Sequence, residues 1–413
     1  MRSWLRTSLA LLVCLTHLPS WANAGEIDGD SGSAPIVVPH IADAGPNAQC
    51  VALSADGQLV AAAYGGPTNH RFPLQPRGGG IAIYQRATGK RLHFVAEYGD
   101  IIQLQFSADG RALVYTRLYT PGDSVDDNVT VVLDTKTGAA RQRWRVGEVA
   151  ASVSASAAKD GDQAGLVAIR GGGSVELYDL KELAKVQQLD QLSARVIALS
   201  PKAERLAAIT LNREGPSLRI IESATSRDLC SASDDDLRTA LVLEWSADGK
   251  LLATGHAQGL AKLWRAEDLE LLHTFAVETA AHVRPVFATA SDALWLFSQP
   301  VQGVRWSYDR QAASGFKFES QRLETDAEAW SFELADFKER QRLRFEGATY
   351  RTWYARFGNS KNVPEYNTRR FTLSPDGRSL LVGCNGAAIY QLPAGKLERQ
   401  FNLLEPPPTA EQD

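Results

Sequence analysis

An all-β fold assembled from repeated four-stranded antiparallel units is what this sequence predicts, and three observations carry the prediction. An apolar residue, Ser, a small residue and Asp-Gly recur as "LSADG" from Leu53, "FSADG" from Phe106, "WSADG" from Trp245 and "LSPDG" from Leu373. Asp109 and Asp248 in this motif stand 139 residues apart, which is three periods of about 46. Between the motifs the chain writes short, β-branched runs broken by turn residues at intervals of about 8–12. A period in the forties with several short strands per unit is the pattern of a propeller blade. The expected fold is therefore all-β: a seven-bladed β-propeller of four-stranded antiparallel blades, with eight blades as the alternative count.

The elements follow in chain order. Residues 1–24 read as a secretory signal peptide: two arginines in "MRSWLR", the apolar core "TSLALLVCL", and the small-x-small site Ala22-Asn23-Ala24 before Gly25. That core is shorter than the roughly 20 apolar residues a membrane span needs, and no later stretch qualifies. Val13 precedes Cys14 where a lipid-anchor signal requires a small residue. The expectation is an exported, soluble protein, periplasmic in a Gram-negative-type cell or secreted. Residues 25–47 form an N-terminal segment in which "APIVVPHI", Ala34 to Ile41, is a candidate edge strand that helps close the ring.

The propeller is expected over 48–403. One unit shows its physics: in "IIQLQFSADGRALVYT" the Gly accepts positive φ without steric cost and the Asp bonds its own backbone, so "SADGR" is a hairpin turn between two apolar strands. "VTVVLDT", the turn "KTGAA" and "RQRWRV" complete the blade. Degenerate copies put Asp160, Lys202 and Asp292 in the remaining turns, which gives seven. The 84 residues from Asp292 to Asp376 nearly fill two periods without a second Asp-Gly turn, so an insertion over about 323–368 is predicted after blade six. Residues 404–413, ending "EPPPTAEQD", read as a solvated tail.

"FSADGR" and "LSPDGRSLLVG" resemble the inner hairpin of WD-repeat β-propellers, and "AKLWRAED" resembles their third strand. The resemblance covers roughly Ala48 to Leu403 apart from the insertion. It departs from the family where Trp264 is followed by Arg265 and where the Gly-His pair that opens such repeats is missing. It implies a propeller that serves as a protein-interaction scaffold. "VLDTKTGAARQRW" is similar to the turn-and-Trp segment of quinoprotein-type propellers, but one blade alone has it in full, and no quinone cofactor is expected.

Composition and motifs narrow the function classes. With 44 basic against 48 acidic residues and a net charge of −4, the chain lacks the basic balance of a nucleic-acid binder. The histidines beyond the leader, His40, His70, His93, His256, His273 and His282, form no i, i+2 or i, i+4 pair with another His or Cys, so no zinc spacing is present. There is no nucleophile elbow, no Ser-x-x-Lys with its partner motifs and no phosphate loop. The clusters "DSVDD" and "DDD" lack the alternation of a calcium loop and read as solvated charge. The chain is accordingly expected not to be an enzyme and to carry no cofactor or metal.

Three stretches exceed a minimal blade: Gly65–Gly80, Arg117–Asn128 and the insertion at 323–368. In a WD-type strand order, connections between second and third strands and connections between blades leave from one face. Blades six, seven, one and two are contiguous once the ring closes. All three stretches should then crowd one sector, and loops on a rigid scaffold are where function concentrates. Candidate partner-binding residues there are Arg71, Phe72, Asp126, Asp127, Trp330, Trp353 and Tyr354, mostly of types that carry interface energy. Cys50 and Cys384 should lie near that face on inner strands of adjacent blades and are a candidate disulfide if their Cα atoms approach within about 7 Å.

The resulting expectation is a monomeric propeller within a complex, acting as a protein–protein scaffold in the cell envelope. A channel-site hydrolase or small-ligand or sugar-binding propeller is one alternative, and it would show as carboxylates and histidines converging on the central pocket. An envelope-assembly subunit is another, and it would show an exposed edge that adds a partner strand.

Overall fold

The structure, a computed structural model, describes residues 34–38, 48–64, 79–97, 100–118, 128–145, 151–153, 165–171, 173–256, 259–277, 283–288, 293–298, 302–309, 317–324, 327–345, 371–383 and 386–401. A short strand, β1 (Ile36–Val38), precedes the ring. Blade one is β2 (Ala48–Leu53), β3 (Leu59–Tyr64), β4 (Gly80–Gln85) and β5 (Arg91–Ala96). Blade two is β6 (Asp100–Phe106), β7 (Ala112–Leu118), β8 (Val129–Asp134) and β9 (Ala140–Arg145). Blade three is β10 (Ala151–Val153), β11 (Leu166–Gly171), β12 (Ser174–Asp179) and β13 (Lys185–Leu189). Blade four is β14 (Ala194–Leu199), β15 (Arg205–Asn212), β16 (Gly215–Glu222) and β17 (Asp228–Ser233). Blade five is β18 (Ala240–Trp245), β19 (Leu251–His256), β20 (Leu260–Arg265) and β21 (Leu271–Ala276).

Blade six begins with β22 (Val283–Phe287) and β23 (Ala293–Ser298). A separate hairpin, β24 (Gln302–Asp309) with β25 (Lys317–Glu324), follows before β26 (Ala327–Glu333) and β27 (Glu339–Phe345) return to the blade. Blade seven is β28 (Phe371–Leu373), β29 (Ser379–Val382), β30 (Ala387–Gln391) and β31 (Lys396–Phe401). The chain is thus a seven-bladed propeller of four-stranded antiparallel blades.

Two expectations are corrected here. Residues 327–345 are not part of an insertion: β26 pairs antiparallel with β23 and with β27, so they are the third and outer strands of blade six. The strands in the first part of that span belong to the blade itself, and the extra hairpin sits earlier, between β23 and β26. The N-terminal strand is an edge strand as expected, but it joins blade six, where β1 pairs parallel with β27 as a fifth strand.

The Ser-x-Asp-Gly repeat has a direct physical reading. The Ser hydroxyl donates to the Asp carboxylate at 2.5–2.7 Å in the Ser54–Asp56, Ser107–Asp109, Ser246–Asp248 and Ser374–Asp376 pairs. The same oxygen accepts the N–H that opens the return strand, from Leu59, Ala112, Leu251 or Ser379, at 2.9 Å. The carboxylate also accepts the N–H two residues on, which closes an Asx turn. In blade four Lys202 replaces the Asp, yet Ser200 still accepts from Arg205 N–H at 3.0 Å. The turns at Asp160 and Asp292 lie outside the described residues.

Seven apolar clusters occupy the seven seams between neighbouring blades. A middle strand is covered on both faces, so β23 is buried at every position and β4 at all but its last. Outer strands diverge around the ring, and β5 and β17 therefore alternate between partly covered and exposed positions. The outer strands also reach across the seams. His93 Nε2 lies 2.9 Å from the Lys136 carbonyl, and Arg141 donates to the Leu180 and Lys181 carbonyls. Gln187 donates to Ser226 Oγ, His273 stacks on Phe337, Gln341 donates to the Pro393 carbonyl, and Arg399 donates to the Ala87 and Thr88 carbonyls. Each partner lies on or beside the turn between the third and outer strands of the next blade, so six of the seven seams share one device.

Candidate interaction face

Because every blade is antiparallel, all second-to-third strand connections leave from one end of the ring, together with the connections between blades. At that end the blades differ sharply. The second-to-third connection is only residues 172–173 in blade three, Arg213–Glu214 in blade four and 257–259 in blade five. It is 65–79 in blade one, 119–128 in blade two and 299–326 in blade six, where it carries the β24–β25 hairpin. Two further long connections start together, since Val38 pairs with Phe345. Residues 39–47 run from β1 to blade one, and 346–370 run from β27 to blade seven. The long connections therefore all belong to the contiguous blades six, seven, one and two.

The roots of these connections are braced by two carboxylates, the buried Glu97 and the partly covered Glu328. Glu97, 4% exposed, follows β5. Its N–H donates to the Gly79 carbonyl at 3.2 Å, at the close of the blade-one connection. Its carboxylate accepts from Arg117, one residue before the end of β7 and thus at the start of the blade-two connection. Tyr115 donates its hydroxyl to the same carboxylate, and Arg143 adds a longer contact at 3.3 Å. Burial, then the hydrogen bond to Glu97, pushes the Tyr115 phenol far above its ordinary value, so it acts as a fixed donor. In blade six, Ser298 at the end of β23 accepts the Glu328 N–H at 3.0 Å, and the Glu328 carboxylate takes Arg342 and Arg344 at 2.7 Å each. Each brace ties two strands at the point where a long connection departs. Neither Glu97 nor Glu328 is legible in the sequence as a brace, because Glu97 works through residues of the neighbouring blade and Glu328 through a paired strand.

A third polar network, built around the buried Lys262 and His256, lies at the same end of blade five, under its tight connection. Lys262 ion-pairs with Asp234 at 2.5 Å and with Asp236 at 2.7 Å. His256 is fully buried, with Nδ1 at 2.9 Å from the Asp236 carbonyl and Nε2 at 2.7 Å from Thr254 Oγ1, which accepts from Trp264 Nε1. Asp234 also caps the 3-10 turn Asp235–Thr239. The "DDD" cluster is therefore more than the solvated charge the sequence suggested: two of its carboxylates neutralise a buried lysine.

Of the candidate partner-binding residues, Arg71 and Phe72 belong to the blade-one connection, Asp126 and Asp127 to that of blade two, and Trp353 and Tyr354 to the 346–370 connection. All six lie outside the described residues. Trp330 is a correction. It stands in β26, 4% exposed, packed in the seam between blades five and six with Arg342 over its ring, and it is a core residue rather than a docking one. Cys50 is buried and donates its thiol to the Ile101 carbonyl at 3.3 Å, whereas Cys384 lies outside the described residues and the pairing with it. In the inner strands Arg284 faces Glu244 at 3.5 Å, and Gln105 donates to the Val153 carbonyl of the next blade. Among the described residues no cluster of three or more His, Cys, Asp or Glu is placed to hold a metal ion, and no helix is long and apolar enough to cross a membrane.

No family model and no curated protein sequence matches the chain. Solved structures share its fold. A chain of the mitotic checkpoint complex crystal structure is similar with a TM-score of 0.52 at 14% identity, over 84% of this chain and 89% of that one. Likeness at that identity speaks to the fold. Together with the blade geometry it supports the β-propeller fold of this chain.

Proposed function

We propose that this is an exported, non-catalytic propeller that acts as a protein–protein interaction scaffold in the cell envelope, docking its partner on the end of blades six, seven, one and two. The observation that carries this reading is the uneven length of the connections at one end of the ring: tight turns on blades three to five, and long segments on the four contiguous blades opposite. Long connections on a rigid ring are a common site of recognition, and the buried Glu97 and the partly covered Glu328 brace their roots. The similar chain in the mitotic checkpoint complex belongs to a multi-protein assembly, which suits a scaffold role. The monomeric state and the periplasmic or secreted location belong to this proposal, the latter resting on the leader-like residues 1–24.

The test replaces residues 299–326 by a two-residue turn of the blade-four type and compares cross-linked capture from native envelope extract. Capture by the parent chain that is lost in this variant, with both chains folded by circular dichroism, supports the reading. Equal capture overturns the placement of the face. Fractionation with N-terminal sequencing tests export independently, and a periplasmic or secreted chain beginning at Gly25 is the expected result.

A further inference from the structure

We infer that the outer edge of blade six is a strand-accepting site, filled in cis by β1 and able to take the same segment from a second copy of this chain. Among the described residues, blade six alone carries a fifth strand, and that strand is only three residues long. Its register is Ile36 opposite Leu343, Val37 opposite Arg344 and Val38 opposite Phe345. Ile36 and Val37 are 39% and 50% exposed, while Val38 is 1% exposed, so one side chain anchors the strand.

The anchor has a shaped receptacle that spans two blades. Val38 packs in the apolar cluster of the blade six–seven seam, which holds Leu343, Phe345, Phe371 and Tyr390. On the blade-seven wall Gly395 comes so close that a Cβ there would stand 2.9 Å from Val38 Cγ2. With β1 withdrawn, the site would offer the β27 edge for backbone hydrogen bonds and one apolar hole for a β-branched side chain, which are the two parts of β-strand addition.

The best-matched occupant is this chain's own N-terminal segment, and nothing in the contacts requires it to come from the same molecule. An exchanged pair repeats the same contacts twice, which is why exchange of an identical element is a low-cost route to dimers. Residues 39–47 decide between the two. Nine residues reach about 30 Å when extended, which serves the path from the edge of blade six past blade seven to β2. Removing Asp43–Pro46 leaves five residues with a reach of about 17 Å. Blade six alone is about 19 Å deep from β1 to β22 at about 4.8 Å per strand. The shortened arm then falls short of its own site and reaches only a neighbour's.

Two measurements test this. A fluorescent peptide of residues 34–41 is titrated into a chain lacking residues 1–41, with anisotropy as readout. Saturable binding is expected, at least tenfold weaker for the Val38→Asp peptide and at least tenfold weaker to a chain that starts at Gly25 and retains its arm. In parallel, light scattering compares the chain starting at Gly25 with the same chain lacking Asp43–Pro46. The shortened chain should be dimeric, and Val38→Asp within it should restore the monomer. A monomeric shortened chain, or a folded arm-less chain that ignores the peptide, overturns the inference. If the arm-less chain does not fold, the light-scattering result decides alone.

Discussion

At the scale of single residues, the informative side chains are polar groups that the ring buries. Glu97 is the clearest. Its carboxylate balances Arg117 in a site where both are nearly covered. Removing one partner of such a pair costs about 3–5 kcal/mol, because the other is left as an uncompensated buried charge. Glu97→Gln should therefore destabilise the fold by about that amount in a denaturant melt. Adding Arg117→Met should recover part of the loss, and a single variant as stable as the parent would show that Glu97 is no brace.

His256 yields a pH dependence. Burial is the main cause that holds its imidazole below the ordinary value, and the nearby Lys262 ammonium acts in the same direction against the Asp236 carbonyl and the two carboxylates. A base with a lowered folded value is neutral in the fold, while the unfolded chain takes its proton near pH 6.5. Stability is thus full above about pH 6.5 and falls as pH drops towards the folded value, by at most about 1.4 kcal/mol per pH unit for this group. Burial lowers His273 as well, with the same sign. Melting temperatures from pH 8 to 5.5 should show a shallower fall for His256→Asn, and an unchanged slope would assign the dependence elsewhere.

At the scale of elements, the question is how closely neighbouring blades approach. Gly255 in β19 shows the limit: a Cβ there would stand 2.2 Å from the Val283 carbonyl oxygen and 2.6 Å from Pro285 Cδ in β22. Both atoms belong to the inner strand of the next blade and cannot rotate away. Overpacking of this kind typically costs about 1–3 kcal/mol, and Gly255→Ala should lie at the upper end of that range in a chemical melt. The same scale explains what the sequence disclosed. The Ser-Ala-Asp-Gly turns were readable because all their bonds run between residues at most five apart, as from Ser54 to Leu59. Blade six was misread because its third strand follows an inserted hairpin, so the pairing of β23 with β26 skips two strands that look equally strand-like. The Glu328 brace and Trp330 as a core residue depend on that pairing, and the Glu97 brace depends on contact between blades one and two. Periodicity alone therefore recovered seven units but misplaced the insertion.

At the scale of the whole molecule, a ring must close where its two chain ends meet. Blade one is built of strands from the start of the propeller and blade seven of strands from its end, so no strand within either blade crosses that seam. Packing of Tyr84 against Phe401 and of Val51 and Val60 beside Leu381 and Ile389 fills it. Side chains then bolt the outer rim. Arg86 binds Glu398 through two bonds of 2.9 and 2.8 Å and donates to Ser379 Oγ at 2.7 Å, while Arg399 grips the Ala87 and Thr88 carbonyls. The Arg86–Glu398 pair is bidentate and about a fifth to a quarter exposed, unlike the exposed Arg340–Glu333 pair within blade six. Exposed pairs contribute at most about 1 kcal/mol, whereas planar bidentate pairs hold geometry more firmly. Arg86→Ala should therefore lower global stability more than Arg340→Ala does. It should also leave a local signature: faster amide exchange in β4, β5, β30 and β31 while β15 and β16 across the ring keep their protection. Uniform acceleration in every blade would mean that the ring unfolds as one unit and that this seam is no weaker than the others.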